Sequence, residues 1–377
     1  MRGNITRRGK SSWRLKFDLE RDPLTGERRV HVSTVRGTKR DAERELAKLI
    51  HAAESGTYVA PDKVTVALFL DRWERDWAAI NVSPKTMERY RELLAKHVRP
   101  RLGALPVQKL RPVDLAKLYA ELLTGLAPRT VGHVHRVLHR ALTHAVQWGI
   151  VVQNAASGVT PPKVESVELE ILDINQIGVM LKAMRGRALY LIASFAVATG
   201  MRRGEILALR WKDVDLDGAL ARVEQSLEQT KAGLRFKSPK TKAGRRTIAL
   251  SAWTVADLRA HRRDQLEQRV ALGLGKMPDD ALVFANWDGT PRSPNAVTKE
   301  WTRTCALLNL PRVTLHALRH THASQLIASG LDVLTISRRL GHGSPTITLS
   351  VYGHLFANTD EKAAAVIDAA FGAIGTE

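Results

Sequence analysis

Tyr352 sits ten residues after the pair Gly341-His342, at the edge of the apolar stretch in LGHGSPTITLSVYGH, residues 340–354. A phenol there is either a half-buried aromatic or a nucleophile, and what the chain places around it decides which. Four other short stretches carry reactive side chains. In ATGMRRGEILALRW, residues 198–211, Thr199-Gly200 precedes a helix and Arg202 falls in its first turn. Backbone N–H groups at a helix start favour an anion, and Glu205, one turn on, can hold the Arg202 side chain. KSPKTKAGRRTIAL, residues 237–250, reads as two strands flanking a tight lysine-rich turn, from whose tip Lys240, Lys242 or both can reach into a groove. In TLHALRHTHASQLIASG, residues 314–330, His316 and Arg319 share a helix face. His316 and His320 have metal-ligand spacing, but no Glu stands between them and Arg319 is adjacent, so a metal is discounted. Gly341-His342 forms a turn ahead of the tyrosine.

Singly, each stretch reads as surface charge. Together they supply two arginines, a lysine, two histidines and a tyrosine, and that set suits attack on a phosphodiester by a phenol. The transition state is a dianion whose equatorial oxygens two bidentate guanidinium groups complement. A phenol with an ordinary pKa of about 10 needs a base or a strong positive field. The departing 5′ alkoxide is very basic and needs a proton donor, which a lysine can supply. No Asp/Glu cluster of the two-metal kind is visible, so that route is disfavoured.

These residues need elements to position them. At 377 residues the chain is too long for one compact core, and two or three domains are expected. No apolar stretch spans a membrane, the basic N-terminus is not a secretory signal, and the single Cys305 reads as a buried small residue in a reducing compartment. The net charge is +20, and residues 1–62, 63–165 and 166–377 carry excesses of +5, +8 and +7. A distributed excess suits modules that wrap a long polyanion, which points to nucleic acid.

Residues 11–36 alternate as two strands about a turn in RDPLTGE, with an earlier strand possible near the start. Thr38 and Asp41 open a helix at capping-box spacing, and Gly56 closes it. After a linker at Pro61-Asp62-Lys63, four helical patterns begin at Thr65, Ser83-Pro84, Pro112 and Pro128. The fourth turns Val131, Val134, Leu138, Leu142 and Ala145 inward and shows His135, Arg136, His139 and Arg140 on the opposite, basic face. A second linker, 153–168, leads to a mixed segment with helices near 173–185 and 188–198, strands near 219–228, 234–239 and 245–250, then further helices. No internal repeat is visible. The fold class is α+β, mainly α.

The motifs TGMRRGE, HALRHTH, LGH and VYGH resemble, in order and spacing, the boxes of the tyrosine recombinases, specifically integrases of phages or integrative elements. The resemblance covers 166–377, which it makes the catalytic domain with a C-terminal tail helix. It extends, far less specifically, to 1–60 as an arm-binding module of sheet and helix and to 63–155 as a four-helix, SAM-like core-binding domain. It implies that Arg202 and Arg319 clamp phosphate, with Glu205 in support, and that Lys240 (or Lys242) protonates the 5′-hydroxyl. His316 would be a general base or proton relay, His342 would hydrogen-bond the phosphate, and Tyr352 would form a 3′-phosphotyrosyl link. It further implies strand exchange without metal, ATP or other cofactor. The implied partners are double-stranded DNA at core and arm attachment sites, a homotetramer through a Holliday junction, a host DNA-bending protein and an excision directionality factor, with no membrane, in the bacterial cytoplasm. The tail, with Ala365, Val366, Ala369, Ala370 and Ile374 on one stripe, is expected to dock on a neighbouring protomer. Ala249 and Gly343 stand where relatives often have Pro and Ser. Two alternatives are a chromosome-dimer-resolution recombinase, against which the N-terminal module argues, and a non-catalytic DNA-binding regulator, against which the complete residue set argues.

Overall fold

The computed structural model describes residues 3–19, 28, 30–55, 58–165, 171–239, 241–311, 313–356 and 360–371. The chain divides into two compact units, Met1–Ser166 and Val167–Glu377.

In the first unit β1 (Gly3–Gly9), β2 (Ser12–Asp18) and β3 (Val30–Arg36) form an antiparallel sheet in that order. Alternation on β2 turns Leu15 and Phe17 to one face, where α1 (Lys39–Glu54) covers them with Ala42 and Leu46. Thr38 and Asp41 close the expected capping box. The expected stop at Gly56 lies outside the described residues.

Thr65 caps α2 (Val66–Trp73), and Ser83 caps α4 (Pro84–Leu93). A widened, π-type turn carries each helix on, over Glu74–Ala78 into α3 (Ala79–Asn81) and over Leu94–Val98 into α5 (Arg99–Leu102). Then α6 (Pro112–Leu123) and α7 (Pro128–Gln147) each begin on proline, whose fixed φ suits a first helical position. Phe69, Trp73, Leu118, Val134 and Leu138 meet in one core. The basic face of α7 differs from the expectation. His135 is buried, with the Tyr119 hydroxyl 3.1 Å from its Nδ1, and His139 is half-buried against Ser157. The exposed residues are His133, Arg136 and Arg140, because 3.6-residue periodicity rotates His135 in beside Val134 and Leu138.

The second unit opens with α8 (Ile174–Met184), α9 (Tyr190–Thr199) and the single turn α10 (Arg203–Ile206). A three-stranded sheet follows in the order β4 (Val214–Asp215), β5 (Leu220–Val223), β8 (Arg246–Ala249), with a separate ribbon of β6 (Ser226–Thr230) and β7 (Gly233–Lys237). Two strand expectations change here. The strand read over 219–228 is two strands, β5 and β6, in different sheets. The lysine-rich segment is no hairpin: β7 pairs with β6 and β8 with β5, so it connects the ribbon to the sheet. Five helices complete the unit: α11 (Ala252–Ala271), α12 (Pro294–Leu307), α13 (Ala317–Ala328), α14 (Val333–Leu340) and α15 (Pro345–Tyr352), followed by the tail helix α16 (Asp360–Phe371). Cys305 is buried, and burial pushes its thiol pKa up. Ile367 and Phe371 of α16 are 57% and 58% exposed; Val366 and Ile374 of the expected stripe lie outside the described side chains. Among the described residues no helix is long and apolar enough to cross a membrane.

Candidate active site

A cavity of about 560 Å3 in the second unit is lined by Arg202, Glu205, His316, Arg319, His342 and Tyr352. These six come from four places in the chain, and each is held by a local device.

Arg202 is the N-cap of α10, just before the helix and not within it as expected. Its backbone N–H donates to Glu205 Oε2 at 2.9 Å, its Nη1 to Glu205 Oε1 at 2.8 Å, and its Nη2 to the Gly341 carbonyl at 3.3 Å. Glu205 is buried and also accepts from Arg246 Nη2 at 2.9 Å. Burial alone would raise its carboxyl pKa; the Arg246 hydrogen bond and charge, and then Arg202, outweigh that and hold it below the usual carboxylate range.

Arg319, in the first turn of α13, is only 3% exposed. Its Nη1 donates to the Gly200 carbonyl at 2.6 Å and its Nη2 to the Leu340 carbonyl at 2.7 Å. Both carbonyls lie at helix C-termini, where backbone acceptors are unpaired and the helix dipole is negative. Gly200 and Gly341 end α9 and α14 in the left-handed region, at φ +64 and +67. A Cβ on Gly200 would fall 2.5 Å from the His322 ring, so glycine is required there twice over. Burial, and then the charge of Arg202, lowers the Arg319 pKa to about 10, which leaves it protonated at neutral pH.

His316 is the residue immediately before α13, exposed at the cavity mouth, and His342 follows the Gly341 turn. His342 Nδ1 lies 2.8 Å from the hydroxyl of Thr348, a fully buried residue of α15. Desolvation, and then His320 for His316 and Arg319 for His342, depresses both imidazoles to about 4, so both are neutral at pH 7.

Tyr352 is the last residue of α15, a helix capped by Ser344 with Pro345 at its first position. It is 1% exposed and packs on Ala323, Ile327, Ile336 and Leu340, which accounts for the apolar stretch that precedes it. Burial pushes its pKa up to about 12, with Arg319 pulling the other way. Its hydroxyl lies 2.7 Å from His320 Nδ1.

Lys240 and the side chain of Lys242 lie outside the described residues; Pro239 and Thr241, flanking Lys240, line the cavity. Lys237 also lines it, ion-paired with Glu228.

Three contributors went unread in the sequence. His320, noted only for metal spacing, is the residue on the phenol. Arg246 bridges Glu205 and the Arg339 carbonyl, the latter at 2.7 Å. Its signal was available: it has the same strand parity as buried Ile248, an inward position for a charge. Thr348, which sets the His342 ring, gave no signal. A second cleft of about 610 Å3, lined by His261, Arg269, Trp287 and Asp288, contains none of the expected site residues.

Comparison with known proteins places the chain in a family. Residues 170–359 match the phage integrase family, and residues 65–123 match the phage integrase N-terminal SAM-like domain. An integrase of Streptomyces ambofaciens is 29% identical, over 89% of this chain and 87% of its own. A XerC-like tyrosine recombinase of Caldanaerobacter subterraneus subsp. tengcongensis is 23% identical, over 98% of both. In fold, the chain is similar to the Tn1549 transposon integrase solved with transposon right end DNA, with a TM-score of 0.66 at 23% identity over 81% of this chain and 98% of that one. With residues 170–359 matched, half of its length, the chain belongs to the phage integrase family of tyrosine recombinases.

Proposed function

We propose that the protein is a site-specific integrase that cuts and rejoins double-stranded DNA through a 3′-phosphotyrosine, to integrate and excise a phage or other mobile element. The observation that carries this is the buried phenol of Tyr352 lining one cavity with two arginines anchored on helix ends. Arg202 and Arg319 clamp the scissile phosphate and neutralise the charge that develops on it. His316 relays a proton and His342 hydrogen-bonds the phosphate. Lys240, on the connection between β7 and β8, protonates the departing 5′ oxygen, with Lys242 as its alternative. Glu205 orients Arg202. The phosphotyrosyl ester conserves the energy of the broken bond, so neither metal nor ATP is needed.

Residues 63–155 and 166–377 bind core sites, and residues 1–60 bind arm sites. The basic excess in all three segments supports this. The assembly is a homotetramer on two duplexes, assisted by a host DNA-bending protein and an excision directionality factor, in the bacterial cytoplasm. The exposed Ile367 and Phe371 support docking of the tail on a neighbouring protomer. Removing residues 360–377 is expected to reduce recombination at least tenfold while single-duplex binding changes less than threefold; equal loss of both counts against the docking role.

The test of the chemistry is a nicked suicide duplex carrying the attachment core, identified from the element's junctions. A covalent protein–DNA adduct forms in EDTA without ATP, and disappears in Tyr352→Phe while binding persists. Adduct formation by Tyr352→Phe would move the nucleophile elsewhere.

A further inference from the structure

We propose that His320 is a catalytic residue that receives the Tyr352 proton as the phenol attacks; this rests on the recombinase reading above. Three observations meet on this ring. Its Nδ1 is 2.7 Å from the Tyr352 hydroxyl, within the range in which a base takes a proton directly. Among the described residues that phenol is the one hydrogen-bond partner of the ring; Ser324 bonds only the His320 backbone carbonyl. The His316 ring stands edge-on to it, centroids 4.9 Å apart at 85°, and fixes its plane. For Nδ1 to accept, the ring carries its hydrogen on Nε2.

The charged and titratable groups around His320 are Arg319 and His316 along its own chain segment, Tyr352 from α15 and His342 from the turn after α14. Burial, and then Arg319, disfavours a cation on His320, so the imidazole is a neutral acceptor before DNA arrives. The dianionic transition state reverses that balance, because its negative charge offsets a new imidazolium beside Arg319. In the forward step the Oη–H bond of Tyr352 breaks and the proton passes to His320 Nδ1. The Oη–P bond forms, the P–O5′ bond breaks, and the 5′ oxygen takes a proton from Lys240. In rejoining, the 5′-hydroxyl returns its proton to the lysine as it attacks phosphorus, and His320 returns its own to Oη.

The experiment uses the full chain and a duplex with the attachment core and a 5′-bridging phosphorothiolate at the cleaved position. Its thiolate leaving group needs no proton donor, so the lysine drops out of the rate. Single-turnover cleavage is followed from pH 5.5 to 9.5 for wild type, His320→Ala, His320→Asn and His316→Ala. His320→Ala and His320→Asn are expected to cleave about 10²–10³-fold more slowly at pH 7 with unchanged duplex binding. Their rates should rise continuously with pH where wild type reaches a plateau, and free imidazole should restore at least tenfold of the loss in His320→Ala. His316→Ala, altered at the proton relay, should also cleave more slowly than wild type, but its rate should level off with pH as wild type does and imidazole should not be needed to restore that shape. Cleavage by His320→Ala within threefold of wild type and with the same pH profile overturns the proposal. So does loss of duplex binding in both His320 variants, which makes the ring structural, or a slow variant that imidazole leaves unchanged. If wild type forms no adduct, or Tyr352→Phe still does, it is the recombinase reading that fails.

Discussion

The cations of the second unit's cavity and those of the helical part of the first unit are held in opposite ways. Arg319 is buried and tied to two backbone carbonyls, and Arg246 shares a buried carboxylate with Arg202. In the first unit, Arg89 pairs with Glu92 and Lys85 with Glu88 one turn along an exposed helix face. Among the described residues Arg136 reaches only to His133, and Arg140 lies 4.9 Å from the Trp77 ring centroid. Exposed pairs of this kind contribute about 0–1 kcal/mol and rearrange freely. A guanidinium anchored on helix ends cannot rearrange. Chemistry at one phosphorus atom needs the second arrangement, whereas holding a polyanion needs only the first.

The largest effect that can break this contrast is at Arg319. Lysine keeps the charge but not the fork that reaches Gly200 and Leu340 together. Arg319→Lys is expected to slow adduct formation on the suicide duplex by about 10²–10³-fold, with duplex affinity within threefold of wild type. Adduct formation at the wild-type rate would show that charge alone suffices.

A smaller effect concerns the same helix ends in acid. His322 is buried, with Nδ1–H directed to the Val197 carbonyl at 2.7 Å and Nε2 accepting from Arg339 at 3.0 Å. Burial, and then Arg339, lowers its pKa from the usual imidazole value of about 6.5 to about 4. The unfolded chain therefore binds this proton more readily than the folded one. Its contribution is complete above pH about 6.5 and is lost as pH falls toward 4, on the order of 3 kcal/mol in all. Urea midpoints of the full chain should drop over that window, and His322→Gln should flatten the drop; an equal slope in the variant contradicts the assignment.

The smallest effect sharpens the other side of the comparison. Arg136→Ala should weaken duplex binding only a few-fold and reduce the salt dependence of the affinity by about one counterion. The cleavage rate at saturating DNA should stay unchanged. A slowed cleavage step would mean that this surface does more than hold DNA.

How much of this was legible follows from what each signal encodes. Caps at Thr38, Thr65 and Ser83 and proline starts at 112 and 128 declare helices locally, because the side chain that ends a helix sits beside it. The residues that line the cavity were readable because order and spacing mark them. The contacts they make were not: His320 meets Tyr352 across 32 positions, and Arg319 reaches Gly200 across 119. Strand partnership was misread at 237–250 because the Lys-Ala loop between β6 and β7 carries no strong turn signal, and the lysine-rich segment looked more like a turn. On α7 the error was one of phase, since a histidine on an apolar boundary fits either face until a partner such as Tyr119 is known.

Glu205 divides its two oxygens between two masters. Oε1 steadies Arg202, and Oε2 is shared between the Arg202 backbone and Arg246, whose other end grips the last turn of α14. Strand β8, the end of α14 and the arginine that faces the cavity are thus geared through one carboxylate. A displacement of that strand would therefore be felt at Arg202 through Glu205, although strand and arginine share no direct hydrogen bond among the described residues.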